Sequence, residues 1–230
     1  MYMVTVTYDL HEHSHFDPYH HFIDSVPFLV ESARSAARID SHSYRGFLVG
    51  AAAFTLVAQS QEIGIFTSGN LKRGPHTAKV CAEKKALARA EKAGYAEAIG
   101  IVVAATSDTE LIEEVTGVAS PTLHPCGECR RLFDKHPIMQ DETLIVTVGL
   151  DSDEYQVHSH AQLRTLYERN ETELLMQPSG YGFGSWDMHV ATYEFLTHAE
   201  TAVPEGERRS PAKLAQLALL ATSVENIKLI

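Results

Sequence analysis

A chain of 230 residues carrying a formal net charge of −11 has the length of one large domain, or of one ordinary domain with a substantial extension, and enough chain to bury a core. Its composition, 44% hydrophobic and 21% charged, is that of a globular protein. The negative field repels phosphate backbones and so speaks against a polynucleotide partner, and no apolar run approaches the length of a membrane span.

The start, "MYMVTVTYDLHEHSHF", lacks a basic segment and a long apolar stretch. It does not read as a secretory signal, and the expected location is the cytoplasm. "MVTVTYDL" alternates apolar and polar residues, as a short strand does. His11, His13 and His15 follow at alternating positions and read as a solvated loop, or as adventitious metal affinity, in preference to a functional metal site. Helical spacing of apolar residues predicts a helix from about Val26 to Ile39, started near Asp24 and Ser25. "SHSYRG" is a turn, "FLVGAAAFTLVA" a buried strand, "QSQE" a hairpin turn and "IGIFTSGN" its partner strand. "LKRGPHTAKV" is a basic loop leading into a helix that carries Cys81. "AIGIVVAATSD" is a further buried strand, and "TELIEEVTGVAS" an acidic insertion with a short helix. "PCGECRRLFDKHP" predicts a second helix ended by Pro137. "TLIVTVGL" is a strand, and "SHAQLRTLYERNETELL" is helical in composition. This alternation of helices and strands favours a layered α/β domain with a mostly buried sheet. From about Asp187 the character changes to a helix, the linker "VPEGERRSP" and an alanine- and leucine-rich amphipathic helix, a tail best suited to packing on the core.

The chain has three cysteines. An odd number argues against a disulfide framework, and two close cysteines with a distant third suggest metal binding or catalysis. Three thiolates, Cys81, Cys126 and Cys129, can fill three corners of a tetrahedral zinc site and leave the fourth for water, the arrangement of a catalytic centre. Cys126 and Cys129 are three apart, so both reach one ion from a first helical turn. Two helix starts aimed at one point stabilise thiolates through their unpaired N–H groups. Glu83, two residues after Cys81, suits the role of a base beside a zinc-activated water better than that of a fourth ligand. Taken singly, the features have plainer readings. A lone Cys-x-x-Cys leaves redox, structural and accidental origins open, Cys81 could be an ordinary buried cysteine, and Glu83 a capping carboxylate. Jointly they favour Zn2+.

Cys81-Ala82-Glu83 followed by Pro125-Cys126-Gly127-Glu128-Cys129-Arg130 resembles the signature of the zinc-dependent cytidine deaminases, in which the Glu shuttles protons and is not a ligand. "YRGFLVGAAAF", from Tyr44 to Phe54, resembles a strand of that family, and Gly69–Asn70 its G-x-N-x-E turn. The match covers roughly Val26 to Leu150. The resemblance implies a three-layer α/β/α fold with a central mixed sheet of about five strands. It implies a catalytic domain over 1–186, with the motif core at about 26–150, and leaves 187–230 as a C-terminal helical extension. It implies hydrolytic deamination of a cytosine nucleoside, or a modified cytosine nucleoside or nucleotide, to the uracil form. Glu83 would be the proton carrier, and Cys81, Cys126 and Cys129 the metal ligands. The Ala82 N–H would hold the ring carbonyl, and a carbonyl near His124–Pro125 the amine, with Phe47 and Asn70 also at the substrate. Lys84 stands where the family has an Arg that offsets the thiolate charge; its plainer reading is a solvent-facing lysine. A homo-oligomer, dimer or tetramer, with a small-molecule substrate is implied as well.

The sequence also departs from the family. Lys72 replaces the ribose-binding Glu, and His76 falls roughly at an aromatic position. Lys72 and Arg73 suit an anionic group on the substrate, or else form a basic surface loop. The insertion around Thr109–Val118 is extra. "ELLMQPSGYGFGSW" resembles the end of the blasticidin S deaminases, with Tyr181 in a position to close a pocket. Competing readings are a non-catalytic zinc-stabilised module of the same fold and a deaminase of another amino-heterocycle.

Overall fold

The computed structural model describes residues 3–6, 16–43, 45–57, 62–169, 180–181 and 186–220, with the backbone alone at 3–6, 180–181, 186–188, 216, 219 and 220. The His11–His15 cluster and the centre of the expected hairpin turn lie outside these residues. In chain order the elements are β1 (Met3–Val6), α1 (Pro18–Ile39), β2 (His42–Ser43), β3 (Val49–Val57), β4 (Glu62–Gly69), β5 (Leu71–Lys72), α2 (Ala82–Lys92), β6 (Glu97–Ala105), α3 (Thr109–Thr116), α4 (Gly127–Phe133), β7 (Leu144–Gly149), β8 (Glu154–Ser159), α5 (His160–Glu168), β9 (Gly180–Tyr181), α6 (Trp186–Thr201) and α7 (Pro211–Leu220).

The main sheet runs β1-β4-β3-β6-β7-β8-β9, and β2 pairs with β5 in a separate small sheet. Only β6 and β7 pair in parallel within the main sheet; the other neighbours are antiparallel, so the sheet is mixed. Five strands of six residues or more, β4-β3-β6-β7-β8, form its centre, and the short β1 and β9 extend the two edges. Side chains of a strand alternate between faces, and each face has its own core. Ala52, Phe54, Ile99, Val102 and Val146 meet Phe22, Val26, Leu29 and Ala33 of α1, together with Tyr193 of α6 and Leu214 of α7. Ala51, Ala53, Ile101, Val103 and Ile145 meet Ala86 and Leu87 of α2, Phe133 of α4 and Leu163 of α5. The result is helices, sheet, helices.

Besides the two-residue strands β2 and β5, which fall in stretches expected as a turn and a loop, two longer elements differ from the sequence expectation. Helix α1 starts at Pro18, a full two turns before Val26. Asp17 caps it by accepting from the N–H of Tyr19 and His20, and Pro18 takes the first-turn place that needs no N–H. Pro27 sits inside the helix with its own side chain exposed. Strand β8 was not anticipated. Its core side chains Tyr155 and Val157 alternate with a buried glutamine, Gln156, and so the apolar period is obscured.

The extension is bound to the first core face. Tyr193 Oη donates to Asp17 Oδ2 at 2.6 Å, Tyr155 Oη lies 2.8 Å from His189 Nε2, and His189 Nδ1 lies 3.0 Å from the Ala218 carbonyl oxygen. Among the described residues no helix is long and apolar enough to cross a membrane.

The small residues of β3 let α1 approach closely. A Cβ at Gly50 would stand 1.9 Å from the Ala33 carbonyl oxygen and 2.5 Å from the Ala37 nitrogen. Both are backbone atoms of a helix and cannot step aside. Gly50→Ala is therefore expected to lower the unfolding free energy by about 1–3 kcal/mol or more, read from chemical denaturation. An unchanged midpoint would mean that α1 does not lie this close to the sheet.

Candidate metal centre and catalytic site

Strand pairing decides where the site forms. Gly50 pairs with Gly69 of β4 on one side and with Ala104 of β6 on the other, so the C-terminal ends of β4 and β6 flank the start of β3. Both chains leave the sheet at that end. The one after β4 returns through an antiparallel bridge between Leu71 and Val80 and enters α2. The one after β6 passes through α3 and a buried loop into α4.

Each helix begins on a cysteine. Cys81 is the N-cap of α2, with φ −71° and ψ 152°, and Cys126 that of α4, with φ −63° and ψ 164°. Neither sulfur caps its own helix, and so both are left for another partner. Cys129 follows on the first turn of α4. The three Sγ atoms lie within 4.8 Å of one another, form a group able to hold a metal ion, and are all buried. Two sulfurs at about 2.3 Å from a tetrahedral zinc stand about 3.8 Å apart; Cys81 Sγ and Cys126 Sγ are 3.7 Å apart. The donors, their number and this spacing fit zinc. Within the cluster the three thiols interact closely, and their mutual contacts lower the pKa of Cys126. The contact with Cys126 raises the pKa values of Cys81 and Cys129 in turn.

Glu83 is 4% exposed. Burial pushes its carboxyl up to about 7, against the backbone and Cys129 hydrogen bonds that favour the charged form. Phe47, Val49, Asn70, Lys79, Cys81, Ala82, Glu83, Val115, Leu123 and Cys126 line a small, partly open cleft. Ser68 Oγ donates to the Ala82 carbonyl oxygen at 2.6 Å and ties the first turn of α2 to the end of β4. Ala82 is the first residue of α2, where an N–H has no partner within the helix.

The structure places the other expected residues variously. Phe47 and Asn70 line the cleft, but the Asn70 amide also bonds its neighbour strand. Its Oδ1 accepts from the Val49 N–H at 3.1 Å, and its Nδ2 donates to the Phe47 carbonyl oxygen at 2.8 Å. Lys72 follows in β5, half-buried and outside that lining. Tyr181 lies in β9, opposite Glu154, and its side chain lies outside the description. Lys84 does not reach the thiolates. Its Nζ is 3.9 Å from Glu128 Oε1, with both side chains half exposed. The cation at the thiolates is Lys79, whose Nζ donates to Cys126 Sγ at 3.5 Å. Burial opposes its charge, yet Cys81 and Cys126 outweigh burial and raise its pKa. The signal that finds Lys79 is its spacing: residues two apart on an extended chain share a side, and Lys79 precedes Cys81 by two.

The acidic insertion also matters here. Asp108 caps α3, and Gly117 ends it in the left-handed conformation at φ 80°. This helix presents Val115 to the cleft. The Pro125 carbonyl oxygen accepts from Arg130 Nη1 at 2.8 Å. Burial lowers the pKa of His124 to about 3 and that of His158 to about 4, so both stay neutral beside the site.

In sequence the chain matches no family model and no characterised relative. In structure it is similar to solved cytidine deaminases. The one from Burkholderia pseudomallei is 24% identical over 60% of this chain and 94% of its own, with a TM-score of 0.47. The one from Mycobacterium leprae is 23% identical over the same shares, 60% and 94%, with a TM-score of 0.40. The one from Mycobacterium tuberculosis is 25% identical over 52% and 81%, with a TM-score of 0.38.

Proposed function

We propose that this chain is a zinc-dependent hydrolytic deaminase. It would convert a cytosine nucleoside, or a modified cytosine nucleoside or nucleotide, to the uracil form and release ammonia. The observation that carries the reading is the meeting, in one cleft, of a three-cysteine group and a buried carboxyl, Glu83. A cluster that served only to hold the fold together would have no use for an acid buried beside an open coordination position.

Cys81, Cys126 and Cys129 would hold the zinc ion, which when bound supplies Lewis acidity and an activated water. Glu83 would carry both protons of the attacking water, one to the ring nitrogen, where it stays in the product, and the other to the departing amine, which leaves as ammonia. Its raised pKa suits both directions of transfer near neutrality. The Ala82 N–H would bind the ring carbonyl, and Phe47 and Asn70 would form the wall the ring lies against. Lys79 would offset the thiolate charge, the task first assigned to Lys84. Lys72 and Tyr181 remain candidates for the substrate's outer part. Action on small molecules in the cytoplasm, a homo-oligomer, and a division into a catalytic domain over 1–186 and an extension over 187–230 belong to the same proposal.

The test is an ammonia-release screen of the zinc-loaded protein over cytidine, deoxycytidine, their monophosphates and aminoacylated cytosine nucleosides. Release from at least one is expected. A protein with one zinc per chain that releases ammonia from none of these would not be a cytosine nucleoside deaminase, and silence toward other amino-heterocycles as well would make it a non-catalytic zinc module.

A further inference from the structure

The loop over 117–126 carries Cys126 to the site without forming helix or strand, yet Ser120, Thr122 and His124 are each 1% exposed or less. A buried loop must find partners for its polar groups inside the protein. Three of those partners are one atom. Gln156 Oε1, on β8, lies 2.8 Å from Ser120 Oγ, 2.6 Å from Thr122 Oγ1 and 2.8 Å from His124 Nε2. Gln156 is itself fully buried. It faces the loop in register with Thr147 of β7, whose Oγ1 lies 2.6 Å from Thr122 Oγ1. On the far side of the imidazole, Tyr167 Oη of α5 lies 3.3 Å from His124 Nδ1. The Tyr167 ring lies under the Arg130 guanidinium, 3.4 Å from its centre, and Arg130 holds the Pro125 carbonyl oxygen. Both ring nitrogens of His124 are thus engaged, and the residues on either side of the Pro125–Cys126 bond are anchored to the sheet and to α5.

We propose that Gln156, with Tyr167, is a positioning residue for the metal centre. It fixes the limb from Ser120 to His124 so that Cys126 meets Cys81 at ligand spacing before any ion arrives. The proposal rests on the zinc reading above. Groups beyond the ligands that fix ligand orientation typically change metal affinity by about 10–100-fold when removed. Gln156→Met keeps most of the side chain's volume and removes the shared acceptor. Tyr167→Phe removes one hydroxyl and leaves the ring under Arg130. Thr55→Val serves as the comparison: it removes an equally buried hydrogen bond, to the Gly64 carbonyl oxygen at 2.9 Å, away from the loop.

The measurements, on the full chain, are zinc release to a chelator and the thiolate-to-metal charge-transfer band of the cobalt(II) form. Both are taken at a temperature where circular dichroism shows every variant folded. Release at least about tenfold faster is expected for Gln156→Met, and faster release with an altered cobalt band for Tyr167→Phe, while Thr55→Val matches the wild type. If Gln156→Met does not fold, Tyr167→Phe alone decides. Release rates and cobalt bands equal to those of Thr55→Val would overturn the positioning role. A wild-type chain that takes up neither zinc nor cobalt would instead sink the metal reading itself.

Discussion

Glu83→Gln is expected to leave the zinc content at the wild-type level and to lower ammonia release by about 100-fold or more, the contribution of a positioned proton carrier. The side chain is buried and lines the cleft beside Cys81 and Cys126. Glutamine keeps its size and polarity but can neither accept nor deliver the proton. Zinc content by elemental analysis and ammonia release on the best substrate of the screen form the paired measurement. Retained activity would remove Glu83 from the mechanism without touching the metal site. Lost zinc would make it a structural partner of the cysteines.

Removing the metal is expected to have the largest effect on stability. The cysteines come from two helices that start at different strands, and one ion would join them. A ligand that binds only the folded state at about 1,000 times its Kd stabilises by about 4 kcal/mol, which for a domain of this size is a shift of about 8–16 °C. Stripping zinc with a chelator should lower Tm by that order, and added zinc should restore it. Cys126→Ala should show the lowered Tm with or without zinc, since it removes the sulfur that Lys79 and Cys81 both meet. A Tm indifferent to chelator and to this substitution would show that the cluster holds no structural ion.

Much of the frame is visible in the residues themselves. Short apolar runs mark β3, β4, β6 and β7 because a strand buried on both faces has little room for polar side chains. The cysteines and Glu83 stand out because metal chemistry restricts residue type and because a helix start places Cys126 and Cys129 on one turn. Local signals also mislead in identifiable ways. Asp24 and Ser25 read as the start of α1, yet the cap is Asp17, two turns earlier. Strand β8 is hidden because Gln156 replaces an apolar residue at a core position.

What the sequence by itself determined is the chemistry: three thiols, one acid and the helix starts that present them. Those depend on side-chain identity and on contacts within a turn. What only the tertiary structure decided is which neighbours serve that chemistry. Lys79 rather than Lys84 reaches the thiolates, Val115 of the acidic insertion walls the cleft, and Gln156, 30 residues past Cys126 along the chain, anchors the loop that carries it. These depend on strand register and on how α2, α4 and α5 settle on one face of the sheet, a sum of many weak contacts between distant segments that no short pattern encodes.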